Sequence, residues 1–229
     1  MSEPRCTIEN TNQFWSHYLS LENSLKEISE YISIHEKNYK SYSFKNMQLF
    51  FAVCTDIDSV LKHIRSNLNL TSIKQPNMRH HREMLSKHFS IISDSKIFLD
   101  ISNEKLTFRP FELLSEEDKA FEWWSAYNDV KHQRPENFHQ ANIKNLLNAL
   151  AALHILNLVY AISSKEEYLS GYENILIQAS ALRNYPILQF ENSGVMSYIG
   201  GYHYYACRLN AENIYKIDLL QKYRFIDLR

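Results

Sequence analysis

Within WWSAYNDVKHQR, residues 123–134, an imidazole, a carboxamide and two cations fall at helical spacing. Residues three and four apart share a helix face, so Phe121, Trp124, Asn128 and His132 form one stripe, and Trp123, Tyr127, Val130 and Arg134 its neighbour. A His beside an Asn, with Lys131 and Arg134 close by, can move a proton and hold an anion such as phosphate. The same residues also fit plain packing. Aromatic side chains fill cores, and an Asn and a His one turn apart can satisfy backbone groups at a helix end before Pro135.

Other chemistry-bearing residues are sparser. Asp56, Asp58 and Lys62 cluster on one segment. Asp58 and Lys62, spaced i,i+4, read as an ordinary surface ion pair, with the alternative that Asp58 reaches across to orient His132 or Arg134. Arg82 and His88 repeat a loose Arg…His spacing, which with His80 and His81 reads as a solvated helix face. His80 and His81 diverge by about 100° on a helix and make poor joint metal ligands. Cys6, Cys54 and Cys207 are three, without CxxC or CxxH companions, so neither a disulfide framework nor a zinc site is expected, and a reducing cytoplasm fits best. GxSxG, GxxxxGK[ST] and HExxH are all absent, which argues against a hydrolase elbow, a phosphate loop and a zinc protease. No metal or cofactor is expected.

The elements that must position these residues are helices. The 229 residues contain 4 Gly and 5 Pro, too few for a turn-rich all-β fold, and they suffice for one substantial core. Phe14, Tyr18, Leu21, Leu25, Ile28 and Ile32 recur at threes and fours and predict a first helix over Thr11–Glu36. Ser41 or Ser43 caps a second helix, with Met47, Phe50, Phe51, Cys54, Ile57, Leu61 and Ile64 on one face and an end near Asn67–Asn69. A third, shorter helix follows the polar connector 71–77, and two short runs over 96–111 predict a small hairpin. Ser115 with Asp118 resembles a capping box and predicts a fourth helix from there to Pro135. Asn137 is then expected to cap a fifth through Val159, tightly paired with the fourth, whose Ala149, Ala151 and Ala152 allow close approach. A further helix is expected over Lys165–Arg183.

The expected architecture is therefore mainly α: an antiparallel helical bundle of about five to six helices over 1–185, with a β hairpin insertion. A small mixed C-terminal appendage follows over 186–229, where Gly, Tyr and alternating apolar residues favour short strands. Lys plus Arg (25) balance Asp plus Glu (26), so nucleic-acid binding needs a local patch. The N-terminus carries no secretory pattern, and LLNALAALHILNLVYAI is too interrupted by Asn and His to span a bilayer. A soluble cytoplasmic protein with no membrane partner is expected.

WWSAYNDVKHQRPENFHQANIKNLLNALAAL resembles a segment of a bacterial protein group with a WWxAYNxxKHxR signature, well over residues 119–160 and more loosely over 14–65. The helical arrangement also resembles the HEPN superfamily, bundles found in toxin, antiphage and RNA-processing systems. That resemblance implies RNA or nucleotide binding, a homodimer, and metal-independent RNA cleavage by an Arg…His pair. His132 matches the His, acting on protons, and Asn128 matches the polar residue. The Arg position holds Tyr127, leaving Arg134 or Lys131 as phosphate stabiliser and Tyr127, Trp124 and Asp58 as substrate-binding candidates. Against it stands a non-catalytic protein-interaction module, in which Trp123, Trp124 and Tyr127 only pack and Asn128 and His132 only close the helix.

Overall fold

The computed structural model describes residues 8–99, 106–116 and 118–163, with three short strands beyond them. The chain builds α1 (Ile8–Ser29), α2 (Phe44–Asn67), α3 (Met78–His88), β1 (Lys96–Leu99), β2 (Leu106–Phe108), α4 (Glu122–His132), α5 (Arg134–Asn137) and α6 (Ile143–Ser163). The fold is mainly helical with a hairpin inserted between α3 and α4. No helix among the described residues is long and apolar enough to cross a membrane.

α2 starts and stops where its end residues dictate. Ser43 Oγ accepts from the Asn46 amide at 3.1 Å, satisfying one of the donors that a helix start leaves unpaired. At the other end Asn69 turns left-handed, φ 57°, and the Leu70 and Asn69 amides donate back to the Arg65 and Ser66 carbonyls. This is a Schellman closure with Asn in the place usually held by Gly. Buried Arg65 then donates to the carbonyls of Leu70 (3.1 Å) and His80 (3.1 Å), tying the polar connector to the start of α3. There Asn77 and His80 exchange side-chain and backbone hydrogen bonds in a capping box.

α1 runs against its neighbours. Glu27 near its end pairs with Lys45 near the start of α2 at 3.2 Å, and Tyr18 meets His154 of α6. α2 and α6, by contrast, run the same way. Their starts are joined by the Tyr42–Asn142 bridge and by the Ile143 amide donating to the Ser41 carbonyl, and their ends by Asn67 Nδ2 donating to Ser163 Oγ at 3.0 Å. The antiparallel relation thus holds for α1 alone of these three. Short loops produce antiparallel neighbours, whereas α2 reaches α6 only after α3, the hairpin and α4. The core lies between these helices: Phe50, Val53, Ile57 and Ile64 of α2, with Leu150 of α6, are fully buried. Ala149, Ala151 and Ala152 are also fully buried, as a close helix contact requires.

Three boundaries differ from expectation. α1 stops at Ser29, and Tyr31 beyond it is exposed. α4 begins at Glu122 instead of near Ser115, because tertiary partners take the backbone that a helical turn would have used. Buried Arg82 donates from Nε to the Leu114 carbonyl at 3.1 Å and from Nη1 to the Lys119 carbonyl. Trp123 Nε1 donates to the Pro110 carbonyl at 3.0 Å. Between α4 and α6, Pro135 opens the short α5 instead of merely ending α4, and a 3₁₀ turn over Phe138–Gln140 follows. The cap of α6 is Asn142, whose Oδ1 accepts from the Asn145 amide at 3.0 Å, and not Asn137. No tight α4–α6 hairpin forms.

β1 pairs antiparallel with β2, Ile97 opposite Phe108 and Leu99 opposite Leu106. On its other edge β1 takes β3 (Leu188–Glu191), giving the order β2-β1-β3, while β4 (Ser197–Ile199) and β5 (Tyr202–Tyr204) pair with each other. The C-terminal region therefore contributes a strand to the sheet begun by the inserted hairpin. The helix expected over Lys165–Arg183 lies outside the described residues.

Candidate functional site at the break between α4 and α5

WWSAYNDVKHQR divides into two faces. Trp123, Ala126, Tyr127 and Val130 are buried against the core. Trp123 lies parallel to the Phe121 ring at 5.7 Å, and Tyr127 receives Trp124 at 5.1 Å and Phe51 of α2 at 5.4 Å, the latter edge-on at 87°. The other face is wet: Lys131, His132 and Arg134 are exposed, and Asn128 and Trp124 are half-buried.

The helix breaks between these residues. Gln133 has φ −137° and ψ 61°, and its amide closes α4 on the Asp129 carbonyl. Arg134 therefore does not continue the Tyr127–Val130 stripe for a second turn; it starts α5. It returns to the same place by another route. Its Cζ lies 6.0 Å from the Phe51 ring centre, while Lys131 Nζ lies 5.4 Å from that of Tyr127. Two cations thus rest on two rings that touch each other. Among the described residues no carboxylate lies within ion-pairing distance of either cation. Stacking fixes where the charges sit without neutralising them, so their outer faces can bind an anion.

Asn128 and His132 do not serve the helix end. Among the described residues neither side chain makes a hydrogen bond, and the closure after Gln133 is made by Asn137, whose amide and Nδ2 both donate to the Gln133 carbonyl. Asp58 is not brought to this place. It pairs with Lys62 on its own helix at 2.5 Å, the ordinary i,i+4 contact. The carboxylate that does orient an imidazole is Asp56, whose Oδ2 lies 2.5 Å from Nδ1 of His17 across the α1–α2 contact. Burial raises the Asp56 carboxyl above its ordinary range, with His17 pulling the other way.

The Arg82…His88 match resolves into structure. Arg82 holds the segment before α4 and lies 4.7 Å over the Phe121 ring, so the expectation of a solvated face fails for it and for His81. His81 is buried with neither ring nitrogen hydrogen-bonded, and burial pushes its imidazole down to about 4. The side chains at positions 81 and 82 turn inward because α3 is covered on that side.

A polar group that periodicity concealed lies inside the bundle. Tyr18, counted as part of an apolar stripe, donates its hydroxyl proton to Glu22 Oε1, and Nδ1 of His154 stands 2.9 Å from the Tyr18 oxygen. Burial pushes the His154 imidazole down to about 3, so it is neutral near pH 7; with the Tyr18 proton given to Glu22, Nδ1 of His154 is the donor. The available signal was the His within LLNALAALHILNLVYAI, a polar residue facing other helices from every side. All three residues are buried, which suits fixing the α1–α6 register better than meeting a substrate.

A cleft of about 510 Å³ opens between the end of α1 and the start of α2, lined by Glu27, Tyr31, Ser43, Lys45 and Asn46 among others, and by none of residues 123–134. No group of three or more His, Cys, Asp or Glu side chains among the described residues could hold a metal ion. Comparison with protein-family models, curated proteins and solved structures yields no significant match, so any functional reading rests on the site itself.

Proposed function

We propose that the protein binds RNA at the break between α4 and α5, in the manner that the HEPN resemblance implies, and that His132 acts there on protons. The observation that carries this reading is the placing of exposed Lys131, His132 and Arg134 around one helix break, two of them cations held on aromatic rings without a carboxylate partner among the described residues. A phosphate fits against Lys131 and Arg134, and Arg134 supplies the planar fork that Tyr127 cannot. Tyr127 is buried beneath Lys131, so it supports the site from below and does not touch a phosphate.

Cleavage would proceed by His132 taking the proton of a ribose 2′-hydroxyl. The 2′-oxygen attacks the adjacent phosphorus, the bond to the 5′-oxygen breaks, and the departing oxygen takes a proton. The products are a 2′,3′-cyclic phosphate and a 5′-hydroxyl. Arg134 and Lys131 face the charge that grows on the non-bridging oxygens. In a homodimer the second His132 can supply the leaving-group proton.

The test is cleavage of end-labelled RNA in EDTA by the wild type and by His132→Ala of matched folding, with a 2′-deoxy substitution at the mapped cleavage nucleotide. Loss of cleavage in both arms is expected. RNA left intact by the wild type removes the catalytic role of His132, and RNA left unbound removes the whole reading. Hydrogen-bonded burial of Asn128 and His132 within the protomer would have favoured the interaction-module alternative; among the described residues neither side chain makes such a bond, while the packing of Trp123 and Tyr127 fits both readings.

A further inference from the structure

Among the described residues exposed aromatic side chains are few: Tyr31, Tyr42 and Phe44 are the exposed large rings, and two of them meet the same ring, Phe138. The half-buried Phe138 receives Phe44 at 4.8 Å with an interplanar angle of 32°, and Tyr42 edge-on at 5.3 Å. Phe44 is 67% exposed and Tyr42 is 49% exposed, so the outer faces of the pair are open to solvent. A Phe that has core space available does not stay on the surface without cost, since each exposed ring forgoes the burial that stabilises others.

The pair is continuous with the cation site by construction. Phe44 and Phe51 lie seven residues apart on α2, two turns along one face and about 10 Å of rise. Phe138 follows Arg134 by four residues across α5 and the turn after it. Arg134 rests on Phe51 and Phe138 rests on Phe44, so two short segments lie side by side, with a cation on a ring at one end and the ring pair at the other. An apolar protein partner would be served by the rings alone; the unpaired cations beside them complement a chain that carries both flat bases and negative charge.

We infer that Tyr42, Phe44 and Phe138 form a base-stacking platform beside the phosphate site of Lys131 and Arg134, and that the occupant is a single-stranded RNA segment. The inference rests on the RNA reading above and adds which form of RNA is taken. Sequence-tolerant stacking on exposed rings with a cationic groove alongside is how unpaired strands are held, and a duplex offers no free base faces to such a platform. One or two nucleotides span the ~10 Å of helix rise between Phe51, on which Arg134 rests, and Phe44, so a base on the platform places its neighbouring phosphate at the cations.

The test compares the full-length protein with Tyr42→Ala/Phe44→Ala and with Lys131→Ala/Arg134→Ala. The probes are a labelled unpaired ribo-oligomer, the same backbone with abasic nucleotides, and a duplex of equal length. Phe44 is largely and Tyr42 about half exposed, and thermal unfolding of each variant checks that the fold is kept. The expected result is a roughly ten-fold or greater loss of unpaired-RNA affinity in the ring variant with abasic binding unchanged, against a loss on both probes in the cation variant. Ring-variant binding equal to wild type, with the cation variant still impaired, overturns the platform and leaves the phosphate site standing. Wild-type protein that binds no RNA overturns both. A self-associating wild type that the ring variant renders monomeric, with RNA binding intact, assigns the rings to a second copy of the chain and overturns the inference.

Discussion

Arg82→Ala should destabilise the bundle strongly without touching the candidate site. Arg82 is buried and holds two backbone carbonyls through separate nitrogens, those of Leu114 and Lys119, while its guanidinium lies 4.7 Å over the Phe121 ring. A hydrogen bond from a charged donor contributes about 1.5–3 kcal/mol, and a partly desolvated cation–π contact about 0.5–2 kcal/mol. Lys119 is exposed, so water replaces much of what its carbonyl loses, whereas Leu114 is buried and its carbonyl is left short of a donor. The net expectation is about 3–4 kcal/mol, which at this chain size lowers the melting temperature by about 10 °C. Urea unfolding followed by tryptophan emission, to which Trp123 beside the same segment contributes with Trp15 and Trp124, measures it. Arg82→Lys should recover less than half, because one ammonium cannot reach two carbonyls in fork geometry. An unfolding free energy for Arg82→Ala within about 0.5 kcal/mol of wild type would refute the argument that this side chain holds the segment before α4.

Tyr18→Phe removes the hydroxyl between Glu22 and His154 and leaves both buried without that partner, so a loss of about 2–4 kcal/mol is expected in urea. Lys62→Ala, breaking only the exposed pair with Asp58, should change the unfolding free energy by less than about 0.5 kcal/mol. Alongside buried His154, held down to about 3, acid should act through His81, whose imidazole burial pushes down to about 4, with Asp58 opposing and Arg65, Lys62 and His80 assisting. The unfolded chain takes this proton near pH 6.5 and the folded chain only near 4, so stability is full above about 6.5. It is lost as pH falls towards 4, by up to about 3 kcal/mol. His81→Leu should remove about half of the imidazole slope in that part of the pH–stability curve, His154 keeping the rest, as a series of urea unfolding free energies between pH 7 and 4 would show; an unchanged slope would refute the His81 contribution.

Helix periodicity made most of the fold legible, since Phe50, Val53, Ile57 and Ile64 can share a face only if α2 exists and that face is inward. Caps were legible where the capping side chain acts locally, as Ser43 does. They failed at Ser115 and Asn137, where Arg82 and Pro135 decide the backbone path from outside the local pattern. The direction of α6 was not legible either, because it depends on a crossover of several elements and not on any single spacing. At the candidate site the residue types were readable and their assignments only partly so. His132, Lys131 and Arg134 emerge at the surface, but Arg134 arrives through a break at Gln133 that no stripe foretells, and Phe51 enters from α2, far away in the sequence. Asp58 was the carboxylate with the alternative of orienting an imidazole, yet it is Asp56 that packing brings to one, and that one is His17. The rings at Tyr42, Phe44 and Phe138 drew no notice because a sequence does not show which aromatic residues remain outside.

The most direct test of an RNA site at the α4–α5 break is a salt titration of single-stranded RNA binding by the wild type and by Lys131→Ala/Arg134→Ala. Each phosphate contact on a single strand contributes about 0.7 to the slope of log affinity against log salt. If Lys131 and Arg134 each hold one phosphate, the variant binds more weakly and its slope is shallower by about 1.4. A variant with wild-type affinity and wild-type slope would place the RNA elsewhere on the protein and contradict the account.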